Sequence, residues 1–401
     1  MKITAMICEF NPLHSGHEYA VRSAKMRGAD AVIAVMSADF VQRGEAAVMP
    51  SALRARTALA AGCDLVIELP IPYSFGSAEY FARAGVYLAD SLGVCDTLFF
   101  GSESGDTDEL LAAADRLSDM KFIALTDEIQ KNDPTVGHMQ ARADAARRLY
   151  GDDFAELISR SNNILALEYI KAARGMKSAL ALETVKREGS DYNDTEYGGG
   201  GYVSASFLRR CIAEGENIDM YVPESCVYIY NEAKSAGLLG ADISKVGTAV
   251  LSFFRMSMPE RLSDIAEISD GLEYRLCRSA CEARTLKEFF EIAATKKYTN
   301  ARLRRAVLSC LLGVMESDFK VCPSYVRVLA ANETGISVLK IMKETSKLPI
   351  ITNVSGFDIL GTDAARSVEL SRRADALYSL MLPSPLPAGE LFKRSAHISK
   401  N

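Results

Sequence analysis

Over its first hundred residues the chain alternates short apolar runs with helix-forming stretches, and that rhythm leaves few architectures open. Thr4-Ala5-Met6-Ile7-Cys8, Ala31-Val32-Ile33-Ala34-Val35-Met36, Asp64-Leu65-Val66-Ile67-Glu68-Leu69 and Asp96-Thr97-Leu98-Phe99-Phe100 are short, apolar and bounded by turn residues, the pattern of buried strands. Between them, Pro50-Ser51 opens a helix that runs to about Ala61 with Gly62 just beyond, and Ser77 to Leu92 forms another. Strand, helix, strand, helix predicts an α/β fold, a doubly wound parallel sheet covered on both faces. Ligands of such sheets bind beyond the carboxyl ends of the strands. Two polar turns fall there, Phe10 to His17 and Phe100-Gly101-Ser102-Glu103.

Residues 105 to 180 read as mainly helical, Ala181 to Arg187 as a late strand, and Val203 to Arg210 as a helix start with serine caps. Asp191 to Gly201 is polar and ends in four glycines, so it is expected to be the most mobile stretch. A length of 401 residues suffices for two domains. The predicted division lies near 212: an α/β domain over 1–212 and a mainly helical domain over 213–401.

The turn Phe10-Asn11-Pro12-Leu13-His14-Ser15-Gly16-His17 carries two of the chain's four histidines. Tyr19, Ala20 and Ala24 begin a helical face just after it. A strand-to-helix turn exposes free N–H groups and a positive dipole end, which favour phosphate. Two imidazoles add donors that neutralise phosphate charge as it reacts. The pattern His-x-Gly-His in this setting resembles the nucleotide-handling motif of the nucleotidyltransferase superfamily, which includes adenylyltransferases and class I aminoacyl-tRNA synthetases. Downstream, Ser204-Ala205-Ser206-x-x-Arg209 offers hydroxyls, N–H groups and a guanidinium to an anion. It resembles the Ile-Ser-Ser-Thr-x-x-Arg element of adenylyltransferases, which holds the triphosphate opposite the histidines. The pair implies attack at an α-phosphate with pyrophosphate leaving.

The loop Met36 to Glu45, the histidine turn, Ile67-Glu68-Leu69-Pro70, Phe100-Gly101-Ser102-Glu103 and Asn162-Asn163-Ile164-Leu165-Ala166 together resemble the bacterial tRNA(Met) cytidine acetate ligases. The resemblance implies a nucleotidyltransferase (HUP-like) domain that activates acetate with ATP to acetyl-adenylate. The acetyl group then passes to N4 of the wobble cytidine of elongator tRNA(Met), giving N4-acetylcytidine. It implies ATP contacts at Ile7, Cys8, Glu9, Phe10, Asn11, Pro12, Leu13, His14, Ser15, Gly16, His17, Glu18, Tyr19 and Ala20. Gly101, one of Asn162 or Asn163, Arg187, Ser206 and Arg209 complete that implied site, with His14 and His17 as the electrostatic catalysts. No carboxylate cluster marks a metal cage, so any Mg²⁺ is expected to arrive on the phosphates of ATP. The chain departs from the family pattern at Ala38-Asp39, where Gly-Asn is usual, at Ala205 in place of a serine, and in its four-glycine run. A lid closing over ATP is one use for that run.

The overall charge of −6 argues against indiscriminate nucleic-acid binding and against a DNA partner. It hides an asymmetry. Residues 296–347 hold ten basic side chains (Lys296, Lys297, Arg302, Arg304, Arg305, Lys320, Arg327, Lys340, Lys343 and Lys347) against four acidic ones. The segment therefore nets +6 and the remainder −12, which predicts a tRNA-binding face. Arg302, Arg304, Arg305, Lys340 and Lys343 are its expected contacts, and Tyr298 and Tyr325 are expected to stack on unpaired bases.

Nine scattered cysteines, with no second pair or histidine near Cys277 and Cys281, point to reduced thiols in the cytoplasm. The apolar N-terminal run is too short for a signal peptide, and no stretch of about 18 apolar residues predicts a membrane span. Two other readings compete: a small-molecule adenylyltransferase of the pantetheine-phosphate or nicotinamide mononucleotide type, and a non-catalytic nucleotide or RNA binder. The first leaves AMP in its product, and the second would not need both phosphate motifs intact.

Overall fold

The structure is a computed structural model that describes residues 1–133, 136–187 and 202–399. The glycine run at 198–201 lies outside the described residues. Ten strands form among the described residues: β1 (Ile3–Cys8), β2 (Ala31–Ser37), β3 (Phe40–Val41), β4 (Glu45–Ala46), β5 (Leu65–Leu69), β6 (Thr97–Ser102), β7 (Ala181–Lys186), β8 (Val326–Ala331), β9 (Ile350–Ile351) and β10 (His397–Ile398). Strands β5-β2-β1-β6-β7 run parallel in that order. The order reverses at β1, so a crevice opens between the ends of β1 and β6. Every residue of β2 and β5 is buried, as strands covered on both faces require.

Helices α1 (Ser15–Met26), α2 (Ser51–Ala60) and α3 (Ala78–Ser91) stand where the sequence predicts them. Helix α3 lies tight on the sheet. A Cβ at Gly85 would sit 2.7 Å from the Ile7 side chain, so a residue without a side chain sets that spacing. Between β6 and β7 the described residues make five helices, the last being α4 (Ser161–Gly175). Helix α5 (Ala205–Glu214) follows β7 and is capped by the Ser204 hydroxyl, which accepts from Phe207 N.

Beyond 212 the chain is mainly helical, yet it also completes the sheet. Strand β8 pairs antiparallel with β5, and β9 and β10 pair parallel with β8. The division expected near 212 thus leaves three strands of the shared sheet on its C-terminal side. The ion pair of Arg327 with Glu68 (3.2 Å) fastens β8 to β5, with side chains only 11% and 4% exposed. Burial pushes Glu68 up and Arg327 pulls it back down. Glu68 of the Ile67-Glu68-Leu69-Pro70 motif is thereby a structural link to the C-terminal region. Among the described residues no helix is long and apolar enough to cross a membrane.

Candidate active site

The β1–α1 turn folds around its two histidines. His14 is the N-cap of α1, and its Nδ1 accepts the Gly16 N–H at 3.1 Å. Nδ1 of His17 accepts the His14 N–H at 3.3 Å, closing a capping box built from two imidazoles. Accepting at Nδ1 puts the proton of each neutral ring on Nε2. Burial, reinforced by Arg187 and Arg209, pushes His14 down to about 3. Burial, then His14 and Arg187, push His17 well below its ordinary value. Both rings are therefore neutral donors. Nε2 of His14 is buried with no hydrogen-bond partner among the described residues, as is Nδ2 of Asn11. Two unpartnered buried donors in one turn are costly unless a ligand accepts from them.

The turn is held from behind. The Leu13 carbonyl accepts from Tyr230 Oη at 2.8 Å, and Ser15 Oγ donates to the Tyr221 carbonyl at 3.1 Å. Gly16 must lack a side chain, because a Cβ there would lie 2.9 Å from Cε1 of His14. Arg54, fully buried on α2, donates to the carbonyls of Glu9, Ser37, Ala38 and Met49. One guanidinium so binds the ends of β1 and β2 to the loop before α2. Asp39 accepts from Ser51 N at 2.6 Å and pairs with Arg54 at 3.8 Å. That gives the unusual Ala38-Asp39 pair a local role at the start of α2.

At the end of β6, two sequence motifs meet as one lock. Glu103 Oε1 accepts from Asn162 N and Nδ2 at 3.0 and 2.6 Å, and its Oε2 accepts from Asn163 N at 2.7 Å, capping α4. In return Asn163 Oδ1 accepts from the Glu103 and Ser104 N–H groups at 3.0 and 3.1 Å. The two asparagines part here. Asn163 is fully buried in this lock, whereas Asn162 lines the cleft and its Oδ1 accepts from Arg187 Nη1 at 2.6 Å. Gly101 lies under Arg187, whose Cγ would stand 3.1 Å from a Cβ there.

Helix α5 brings the Ser204–Arg209 motif to the histidine turn. Arg209 Nη1 donates to the Asn11 carbonyl at 3.1 Å, its Nη2 donates to Ser206 Oγ at 2.9 Å, and Glu45 lies 3.4 Å from its Nε. The two motifs thus share one corner despite lying almost two hundred residues apart. These elements enclose a cleft of about 600 Å³. Of the implied ATP residues, Ile7, Cys8, Glu9, Phe10, Asn11, His14, Gly16, His17, Tyr19, Ala20, Gly101, Asn162 and Arg187 line it. Pro12, Leu13, Ser15, Glu18, Asn163, Ser206 and Arg209 are not in its lining.

The relatives of this chain point the same way. The family model described as HIGH Nucleotidyl Transferase matches residues 1–390. A tRNA(Met) cytidine acetate ligase of Acetivibrio thermocellus is 35% identical over 98% of this chain and 99% of its own length. That of Caldanaerobacter subterraneus is 36% identical over 95% of each. The chain belongs to the tRNA(Met) cytidine acetate ligase family. Two crystal structures of Thermotoga maritima TmcAL share its fold over 100% of both chains, one apo (TM-score 0.94, 29% identity) and one bound with alpha-thio ATP (TM-score 0.91, 28% identity). This member of the ligase family keeps both imidazoles and the guanidinium of Arg209.

The basic segment does not form one face in this ligase-family chain. Arg304 pairs with Glu45, Arg305 with Glu267 at 2.6 Å, and Arg302 with Asp270 at 3.9 Å. Arg305 also lines the cleft. Lys340 and Lys343 are exposed on the helix Glu333–Thr345. The ends of that helix meet Asp64 and Leu92, both at the amino ends of the strands, away from the histidine turn. The tyrosines correct the sequence reading: Tyr298 is 7% and Tyr325 1% exposed, the first covered by Lys297 and Arg302 and the second packed among apolar residues, so neither ring is open to stack on a base. Sequence reasoning missed Arg54. Its signal is an arginine flanked by Leu53, Thr57 and Ala58 on the buried face of α2.

Proposed function

We propose that this chain joins acetate to ATP as acetyl-adenylate and passes the acetyl group to N4 of the wobble cytidine of elongator tRNA(Met). The observation that carries the proposal is the pair of neutral imidazoles, 3.9 Å apart, set in a nucleotide-sized cleft. The family's name supplies the acyl group and the RNA. In the first step an acetate oxygen attacks the α-phosphorus and pyrophosphate leaves. The Nε2–H groups of His14 and His17 stabilise the charge gathering on the phosphate oxygens, which is electrostatic catalysis. Arg209, reached from the Asn11 corner, steadies the departing pyrophosphate, and Asn162 with Arg187 and Gly101 seats the nucleotide. In the second step the cytidine N4 attacks the acetyl carbonyl, AMP leaves, and N4 gives up a proton. Any Mg²⁺ enters on the phosphates of ATP. The site is placed in the cytoplasm, where charged and unmodified tRNA is available.

The test is incubation of the protein with ATP, labelled acetate and total tRNA. The expected result is label on tRNA(Met) as N4-acetylcytidine, with AMP and pyrophosphate released in equal amounts. Retention of AMP in a small-molecule product, with no label on tRNA, would replace this reading by the small-molecule adenylyltransferase one.

A further inference from the structure

The cleft continues past the nucleotide corner along α4. Asn162 and Lys171 both line it, and the nine residue steps of helix from one to the other rise about 13 Å. Against Glu168, near the Lys171 end, stands the helix His138–Tyr150, from which His138 and Arg142 enter the same cleft. Six basic and three acidic side chains line the cleft as a whole, so it is built for an anion at more than one place.

Arg142 is in an expensive position. Its side chain is 15% exposed, and its one ion pair among the described residues, to Glu168, is 3.9 Å long. Both carboxylate oxygens of Glu168 already accept from Lys171 Nζ, at 3.1 and 2.9 Å. No hydrogen bond joins Arg142 to another described residue. Burial weakens its hold on its proton, with Glu168 and the exposed Glu79 opposing. A guanidinium has five donors in a planar fork suited to phosphate, and leaving them unused in a buried place is unfavourable.

The reacting carboxylate of acetate has no place at this end, since it must come within about 3–3.5 Å of the α-phosphorus, and Asn162, proposed to seat the nucleotide, lies about 13 Å back along α4 from Lys171. The anion here belongs to the second substrate. We infer that Arg142, with Lys171 beside it, binds a phosphodiester of the tRNA strand next to the nucleotide that is acetylated. This rests on the proposed tRNA reading.

The experiment compares Arg142→Lys, Arg142→Ala and Lys171→Ala in the full chain by two readouts. One is the KM for tRNA in acetylation, and the other is acetate-dependent exchange of pyrophosphate into ATP, which needs no RNA. Loss of a charge-assisted contact should raise the KM for tRNA about 10- to 100-fold and leave exchange within about twofold of the parent. The slope of log K against log salt should become shallower by roughly 0.7–0.9 for each phosphate contact removed. Retained exchange doubles as the folding control. Should Arg142→Ala fail to fold, Lys171→Ala, at a side chain 41% exposed, carries the comparison. An unchanged KM for tRNA, or a loss of exchange equal to the loss of acetylation, would overturn the inference while leaving the tRNA reading intact. A parent protein that labels no tRNA overturns both.

Discussion

His14 and His17 hold each other's protonation pattern: their rings lie 3.9 Å apart at 41°, and both Nδ1 atoms accept backbone N–H groups of the same turn. Capping the helix and leaving the proton of each ring on Nε2 are thus a single arrangement. Asparagine is among the best N-caps but carries no Nε2. His14→Asn should therefore keep the fold's stability and lower pyrophosphate exchange by about 10²–10³-fold. A thermal midpoint near the parent's combined with undiminished exchange would refute the role assigned to the ring.

The same burial makes stability depend on pH. An unfolded histidine titrates near about 6.5, whereas His14 is pushed down to about 3. Between those values the unfolded chain binds a proton the fold excludes, so this contribution is complete above about 6.5 and is lost as pH falls. From pH 6.5 to 5 the loss from His14 is about 2 kcal/mol. Thermal melts of the ligand-free parent and of His14→Asn at pH 7 and 5 check this, and the parent should lose more. Equal losses would count against a neutral, buried His14.

Gly16 has no room to grow. An added Cβ falls 2.9 Å from His14 Cε1 and 3.1 Å from its Nδ1, so Gly16→Ala must turn the ring away from its cap. Exchange should fall at least about tenfold through kcat more than through the KM for ATP. Full activity in Gly16→Ala would mean that the orientation of His14 is unimportant.

Adjacent asparagines should separate into two phenotypes. Asn163→Ala strips the acceptor from two N–H groups and the donor from the Leu157 carbonyl. It should cost about 1–3 kcal/mol in urea unfolding. Asn162→Ala, beside Arg187 at the cleft, should raise the KM for ATP with a smaller effect on unfolding. The reverse pattern would exchange the roles given to the two residues.

Arg54 binds four carbonyls from three segments. Arg54→Met should destabilise the chain by about 3–5 kcal/mol, read by urea or thermal unfolding. A change below about 1 kcal/mol would show that the loop ends hold without it.

Much of the site was legible because it is local. The histidine turn, its helix and the strand before it occupy twenty-four consecutive residues, and their periodicity and capping types carry the geometry. Strands β1, β2, β5, β6 and β7 were likewise readable from short apolar runs bounded by turns. Strand β8 was not. Val326-Arg327-Val328-Leu329-Ala330-Ala331 is a run whose partner, β5, lies some 260 residues earlier, and no local period reports such a pairing. The pairing of the basic stretch was hidden for a related reason: a charge count sees Arg302, Arg304 and Arg305 but not the Asp270, Glu45 and Glu267 that pair with them.

By itself, then, the sequence determined the α/β class, the histidine turn between strand and helix and the identity of its donors, all properties of neighbouring residues. Only the tertiary structure decided which asparagine reaches the cleft, that Tyr298 and Tyr325 are buried, and that Arg142 has no hydrogen bond to another described residue. Those depend on which distant groups desolvate or pair with a side chain, and contact across the fold sets them.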